Sequence, residues 1–264
     1  MSTYYQPVRY TPGMAWVCLR EISGYEEQEI DSAGAPAAIR LLDRLLVDAP
    51  PQAPHANDAA LQLSLPDRDC LLAGIYSRVY GNKIESTLEC SACGAPFDMD
   101  FSLEALLQHL NEAQKTSAIA WESDGSFFAE PGLRLRLPTG ADEMAIWNLA
   151  PEAGVAALMR LCTLEGNVEE HALRIQEALA QAAPMLATEM AATCPECGNE
   201  MTVHFDMQSY LLHALKMDKQ RLQLDVHRIA TTYRWHLDEI LRLPRSQRRS
   251  YATLIESERE ALYA

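Results

Sequence analysis

The chain has 264 residues, 48% of them hydrophobic, and a formal charge of −15 at neutral pH. That length and apolar content suffice for the core of one large domain or two modest ones, which excludes a disordered chain. The acidic balance opposes general attraction to phosphate backbones, and no apolar run approaches the ~18 residues of a membrane span.

The opening MSTYYQPVRYTPG lacks a basic segment followed by an apolar one, so the expected location is the cytoplasm. Residues 16–27, WVCLREISGYEE, mix strand formers with a Ser-Gly turn, and a helix is predicted over 37–46. DAPPQAPHAND, 48–58, reads as a Pro-rich linker. Ser64 with Asp67 three positions on predicts a capped helix that carries Leu71, Ile75 and Val79 inward and stops at Gly81. Strands are expected over 83–89 and 97–101, a helix over 103–110, an irregular connection over 117–132 and a strand over 133–137. From 141 to 190 the Ala- and Leu-rich sequence predicts short helices, with Asn167 capping one whose inner face is Val168, Ala172, Ile175 and Leu179. A further short strand to Phe205, one long helix over 206–233 and two shorter helices, 237–243 and from Pro244 on, complete the pattern.

Seven cysteines, an odd count, argue against an extracellular disulfide framework. Cys18, Cys70 and Cys162 stand alone in apolar surroundings and read as small buried hydrophobes. The other four form two Cys-x-x-Cys-Gly knuckles, Cys90/Cys93 and Cys194/Cys197. Residues 90–110 overlay 194–214 without a gap: Phe101 matches Phe205, the cap types Ser102 and Asp206 follow, and His109 matches His213. Two residues between cysteines let one tight turn present two sulfurs to a tetrahedral zinc ion, so two knuckles complete a site. Gly94 and Gly198 suit the positive φ that such a turn requires. With all four corners filled by protein, the zinc is expected to be structural, and a redox dithiol is the weaker reading. His109, His213 and His204 read as helix and strand residues rather than ligands.

The expected fold is α+β and helix-dominated, with a zinc ribbon made by two distant Cys-x-x-Cys knuckles, an inserted helical subdomain and a helical C-terminal extension. The expected division is an N-terminal α/β region over 1–82, the split ribbon over 83–101 plus 190–206, the inserted helical subdomain over 102–189 and the C-terminal helical region over 207–264. Phosphate-binding loops, a nucleophile elbow, His-Glu-x-x-His and Rossmann fingerprints are all missing from the sequence, so a non-enzyme is expected.

Nine Lys or Arg against four acidic residues over 216–249 make a basic region on an acidic body. Arg245, Arg248 and Arg249 crowd the start of the last helix, where the dipole disfavours positive charge. Pairing with Asp238 and Glu239, or docking of an acidic partner, would each compensate.

The run VHRIATTYRWHLDEILRLPRSQRRSYATLIE, 226–256, resembles the ending of the baseplate hub proteins and hub assembly chaperones of T-even-like phages and related contractile injection systems. The matching positions are His227, Ile229, Ala230, Tyr233, Trp235, Glu239, Ile240, Leu241, Arg248, Arg249 and Tyr251, and His236 stands where a Ser-like cap is expected. The two knuckles, LRLRLPTGADE at 133–143 and LREISGYEE at 19–27 are similar too. The resemblance implies a contractile-tail assembly chaperone or minor baseplate component that binds hub or spike proteins, with retention in the particle left open. Tyr233, Trp235, Arg245, Arg248, Arg249 and Tyr251 are the expected partner-binding residues. No membrane or small-molecule partner is expected. The alternative is a zinc-ribbon nucleic-acid-binding or regulatory protein, which the net acidity disfavours.

Overall fold

The computed structural model describes residues 2–48, 58–115 and 119–263. Along the chain, strands β1 (Thr3–Pro7) and β2 (Trp16–Arg20) precede helices α1 (Gly24–Glu29), α2 (Ala35–Leu45), α3 (Ala59–Gln62) and α4 (Leu65–Tyr80). Strands β3 (Lys83–Glu89) and β4 (Pro96–Ser102) lead into α5 (Leu103–Lys115). Next come β5 (Ser126–Glu130), β6 (Leu133–Arg136), α6 (Gly140–Ile146), α7 (Pro151–Cys162), β7 (Thr163–Glu165) and α8 (Val168–Ala182). The last stretch holds β8 (Ala187–Thr193), β9 (Glu200–Asp206), α9 (Met207–Met217), α10 (Lys219–Tyr233), α11 (Leu237–Arg242) and α12 (Arg245–Tyr263). Among the described residues helices predominate and no sheet exceeds three strands. No helix among the described residues is long and apolar enough to cross a membrane.

The elements sort into two compact units, one of Met1–Pro7, Trp16–Ala60 and Ser209–Ala264, the other of Val8–Ala15 and Leu61–Gln208. The Pro-rich stretch placed at 48–58 lies almost wholly outside the described residues.

In the first unit β1 pairs antiparallel with β2, and β2 buries Val17, Cys18 and Leu19. Helix α2 is amphipathic, with Ala38, Leu41, Leu42 and Leu45 inward. Ile229, Ile240 and Ile255 form the buried centre of α10, α11 and α12, with Tyr233, Trp235 and Tyr251 packed around it. The single helix predicted over 206–233 is instead two, broken at Asp218, whose carboxylate turns to Arg245.

In the second unit Ser64 caps α4 as predicted, accepting the Asp67 N–H at 3.4 Å, and Gly81 ends the helix at φ +89°. The Asp67 carboxylate does more than a cap partner would, accepting the Arg9 and Tyr10 N–H groups and the Thr11 hydroxyl at 2.7–2.9 Å. Asn167 caps α8, which turns Ile175 into a core with Phe127, Leu133, Leu135 and Met159. The connection read as irregular over 117–132 contains β5, which pairs with β6, and the short β7 joins the same sheet.

Each unit contains one copy of the same latch. In the second unit, Leu135-Arg136-x-x-Thr139-Gly140-x-Asp142-Glu143 ends β6 and starts α6. Thr139 N–H donates to Asp142 at 2.8 Å, Arg136 forks onto the Asp142 carboxylate at 2.6 and 2.8 Å, and Glu143 pairs with Arg68 of α4. In the first unit, Leu19-Arg20-x-x-Ser23-Gly24-x-Glu26-Glu27 ends β2 and starts α1. Ser23 N–H donates to Glu26 at 2.9 Å, Arg20 forks onto Glu26 at 2.7 and 3.1 Å, and Glu27 pairs with Arg245 and Arg248 of α12. The backbone repeats as well: Leu65 N–H donates to the Pro138 carbonyl at 2.9 Å, and Arg245 N–H to the Ile22 carbonyl at 2.8 Å.

Candidate metal centre

The centre is built by two hairpins of equal length. β3 and β4 pair from Lys83↔Ser102 to Glu89↔Pro96, and β8 and β9 from Ala187↔Asp206 to Thr193↔Glu200. Each hairpin ends in a turn closed by the same two bonds. Gly94 N–H donates to the Cys90 carbonyl and Gly198 N–H to that of Cys194, both at 2.9 Å. Cys90 N–H reaches the Ala95 carbonyl at 3.0 Å, and Cys194 N–H that of Asn199 at 2.9 Å. Gly94 and Gly198 have φ of +69° and +72°, with open space where a Cβ would stand, so the backbone angle rather than crowding selects glycine.

Beneath the turns Phe97, Ala192, Met201 and Val203 pack against Cys90 and Cys194. Phe101 and Phe205 meet edge to face, ring centres 5.1 Å apart. Past them the hairpins repeat a last contact: Leu103 N–H donates to the Asn82 carbonyl at 2.8 Å and Met207 N–H to that of Leu186 at 2.9 Å. This packing holds the two turns face to face.

All seven cysteines are free thiols. The sulfurs of Cys90, Cys93, Cys194 and Cys197 lie within 4.8 Å of one another, with Cys90 and Cys194 buried and Cys93 and Cys197 exposed. Across the hairpins the Cys90 and Cys197 sulfurs are 3.6 Å apart, and those of Cys93 and Cys194 3.9 Å. Four thiolates each about 2.3 Å from one ion stand roughly 3.8 Å apart, so the spacing suits a tetrahedral metal. The electrostatics agree. The N–H groups of Cys93 and Ala92 point at the Cys90 sulfur and bring its pKa down to about 6. Cys197 receives the Asn199 N–H, but the nearby Cys93 and Cys90 sulfurs outweigh it and push this thiol up to about 12. The turn amides thus favour the Cys90 thiolate, while the crowded sulfurs disfavour that of Cys197, a penalty that a bound cation would offset.

The four cysteines predicted as ligands are the ones brought together. His109, His204 and His213 are exposed and outside the cluster. Cys18 and Cys162 are buried as expected, and Cys70 is partly so; burial drives the Cys70 and Cys162 thiols up to about 12.

The expected partner-binding residues divide differently. Arg248 is 1% exposed, and both it and Arg245 pair with Glu27, with Asp218 and Asp225 alongside, so acids inside the fold oppose their charge, while Nε and Nη1 of Arg248 have no hydrogen-bond partner among the described residues. Neither of the acids expected to pair with these arginines does so, because Asp238 accepts the Tyr25 hydroxyl at 3.0 Å and Glu239 accepts the His236 N–H at 2.8 Å. That last bond makes His236 the cap of α11. Tyr233, Trp235 and Tyr251 stack on one another at centroid distances of 5.2–5.8 Å. Arg249 alone of the three arginines keeps a partly exposed side chain. Compared with protein-family models, curated proteins and solved structures, the chain gives no match.

Proposed function

We propose that the four cysteines hold one structural zinc ion as a zinc ribbon split between two hairpins, and that the chain is a non-enzymatic assembly chaperone or minor component of a contractile-tail baseplate. The observation that carries the metal reading is the convergence of four sulfurs from two matching turns. When bound, the ion supplies a tetrahedral cross-link and neutralises thiolate charge. Cys90 and Cys194 hold it from the buried side and Cys93 and Cys197 from the exposed side, which fills every corner and leaves none for a substrate.

The baseplate reading rests on the resemblance of 19–27, 133–143 and 226–256. These segments contain the two latches and the α10–α12 aromatic cluster, so the resemblance lies in residues that hold the scaffold together.

Elemental analysis of purified protein should find one zinc per chain, with Cys194→Ser losing it. Protein free of metal whose thiols titrate readily before chelation would replace zinc with a redox dithiol. Co-expression with hub and spike proteins should recover at least one of them in a pull-down; recovery of none, with normal particles after gene deletion, removes the baseplate role. Tight, salt-sensitive gel-shift binding would favour the nucleic-acid alternative.

A further inference from the structure

One surface in the first unit has the chemistry of a docking groove and includes residues that the sequence pattern did not single out. Helices α10 and α12 flank a groove of about 410 Å³. Arg221, Leu224 and Arg228 of α10 line it at spacings of three and four residues, which places them on one helical face, and Met217, the last residue of α9, stands beside them. Arg249 and Glu256 of α12 stand opposite.

The groove is apolar along one edge, and its charged lining is three arginines against two acids. Met217 at the end of α9 is 68% and Leu224 of α10 52% exposed, whereas Leu222 and Ile229 of α10 are buried in the unit. The inner face of α10 is therefore satisfied, while Leu224 and the neighbouring Met217 form a small apolar patch in solvent. Arg228 is held by Glu256 at 2.5 Å and Arg249 leans toward Asp225 at 3.7 Å. Arg221 makes no ion pair among the described residues. At the floor, Asp225 is 2% exposed, and its Oδ2 has no hydrogen-bond partner among them.

We propose that this groove docks an acidic amphipathic helix of a partner protein, with Met217 and Leu224 taking its apolar side chains and Arg221 its carboxylates. The occupant follows from complementarity. Three arginines against Asp225 and Glu256 leave the groove an excess of one positive charge in a chain of net charge −15, and Arg221 carries it without an ion pair among the described residues, so the groove favours an anionic partner. A phosphate backbone would use the arginines but leave Met217 and Leu224 unmatched. A helix that carries apolar side chains beside carboxylates uses both. The proposal rests on reading the chain as a protein-binding assembly factor, and it supplies the character of the partner.

The test uses the full-length chain and three fluorescein-labelled peptides of about 18 residues, or five helical turns. All share one leucine stripe, with polar faces of Glu, Lys or Gln. Fluorescence anisotropy should show binding of the Glu peptide and neither of the others. Arg221→Glu and Leu224→Asp, both on exposed side chains, should each weaken it by at least about tenfold, or 1.4 kcal/mol, with thermal midpoint and metal content unchanged. Arg221→Glu should also shift preference toward the Lys peptide. Failure of the Glu peptide to bind, equal binding of Glu and Gln peptides, or indifference to both substitutions overturns the proposal. So does duplex DNA binding that Arg221→Glu abolishes, which would make the groove a phosphate site, or concentration-dependent self-association that the same change abolishes. If hub and spike proteins are not captured while the Glu peptide still binds through Arg221, the baseplate reading falls and the groove stands. The reverse pattern removes the groove alone.

Discussion

Glu27 is 2% exposed and ionisable, and it is kept in place by Arg245 and Arg248, the latter 1% exposed. Removing one member of a buried ionic set leaves an uncompensated charge, which costs about 3–5 kcal/mol. Arg248→Met should lower the unfolding free energy from urea titration by that amount, and adding Glu27→Gln should restore part of it; a loss below about 1 kcal/mol would mean that solvent already screens the set. Gly24 is constrained in another way, since a Cβ there would stand 2.7 Å from the Leu241 side chain and 3.1 Å from its Cα. Gly24→Ala should therefore cost about 1–3 kcal/mol through overpacking, measured by the same titration. Asp69 has the opposite character. Burial pushes its pKa up to about 7 against the partial relief given by Arg68 and the Leu186 N–H, with Asp206 and Glu143 adding to the rise. The folded state then binds a proton that the unfolded state has lost, so stability from this group is complete below pH 3.8 and declines as pH rises toward 7. Asp69→Asn should flatten that slope in denaturation curves and raise stability at pH 8. Glu26 and Asp142 act in the other direction: burial opposes their ionisation, but their arginine and cap partners hold both carboxyls below the usual range. Their contribution is present above pH 4.5 and 3.8 respectively and is lost as acid titrates them in the fold.

At the scale of elements, the two hairpins carry the same chemistry and should respond alike. Gly94→Ala and Gly198→Ala each force a residue with a side chain into a positive φ without a steric clash, so each should cost about 1 kcal/mol, read as a drop in thermal midpoint. Unequal costs would show that one turn carries the site more than the other. These turns were legible in the sequence because everything that specifies them is local: two cysteines, the intervening pair and the glycine. The strands that flank them were legible for the same reason, with β3 matching its predicted bounds of 83–89. The latches were not. LREISGYEE and LRLPTGADE stand in the chain as two separate motifs, and only overlaying them would have shown the shared Leu-Arg, Ser/Thr-Gly and acidic pair. Their arginine partners lie 75 residues away for Glu143 and 221 for Glu27, beyond any local pattern. β7 escaped because three residues carry no period, and β5 because Asp124 and Gly125 before it dominate the composition. The arginine crowd at the start of α12 was read correctly as needing compensation, but its partners come from α1 and α10 rather than the adjacent α11.

At the scale of the molecule, the four-cysteine cluster joins segments more than one hundred positions apart, as the Cys90–Cys197 separation of 107 shows. Chelation should accordingly raise amide exchange first in β3, β4, β8 and β9, because these strands share one small core under the turns. Exchange that rises uniformly across the chain would mean that the centre controls folding as a whole.

The pairing of Glu27 with Arg248 also sets an order of events during synthesis. A ribosome adding about 5–20 residues per second needs roughly ten to forty seconds to travel from the first to the second. Throughout that interval the carboxylate has no permanent counter-ion and α1 cannot seal. A nascent chain halted before α12 would thus keep its early helix open, and a product released before that point would leave that segment unsealed and open to proteolysis.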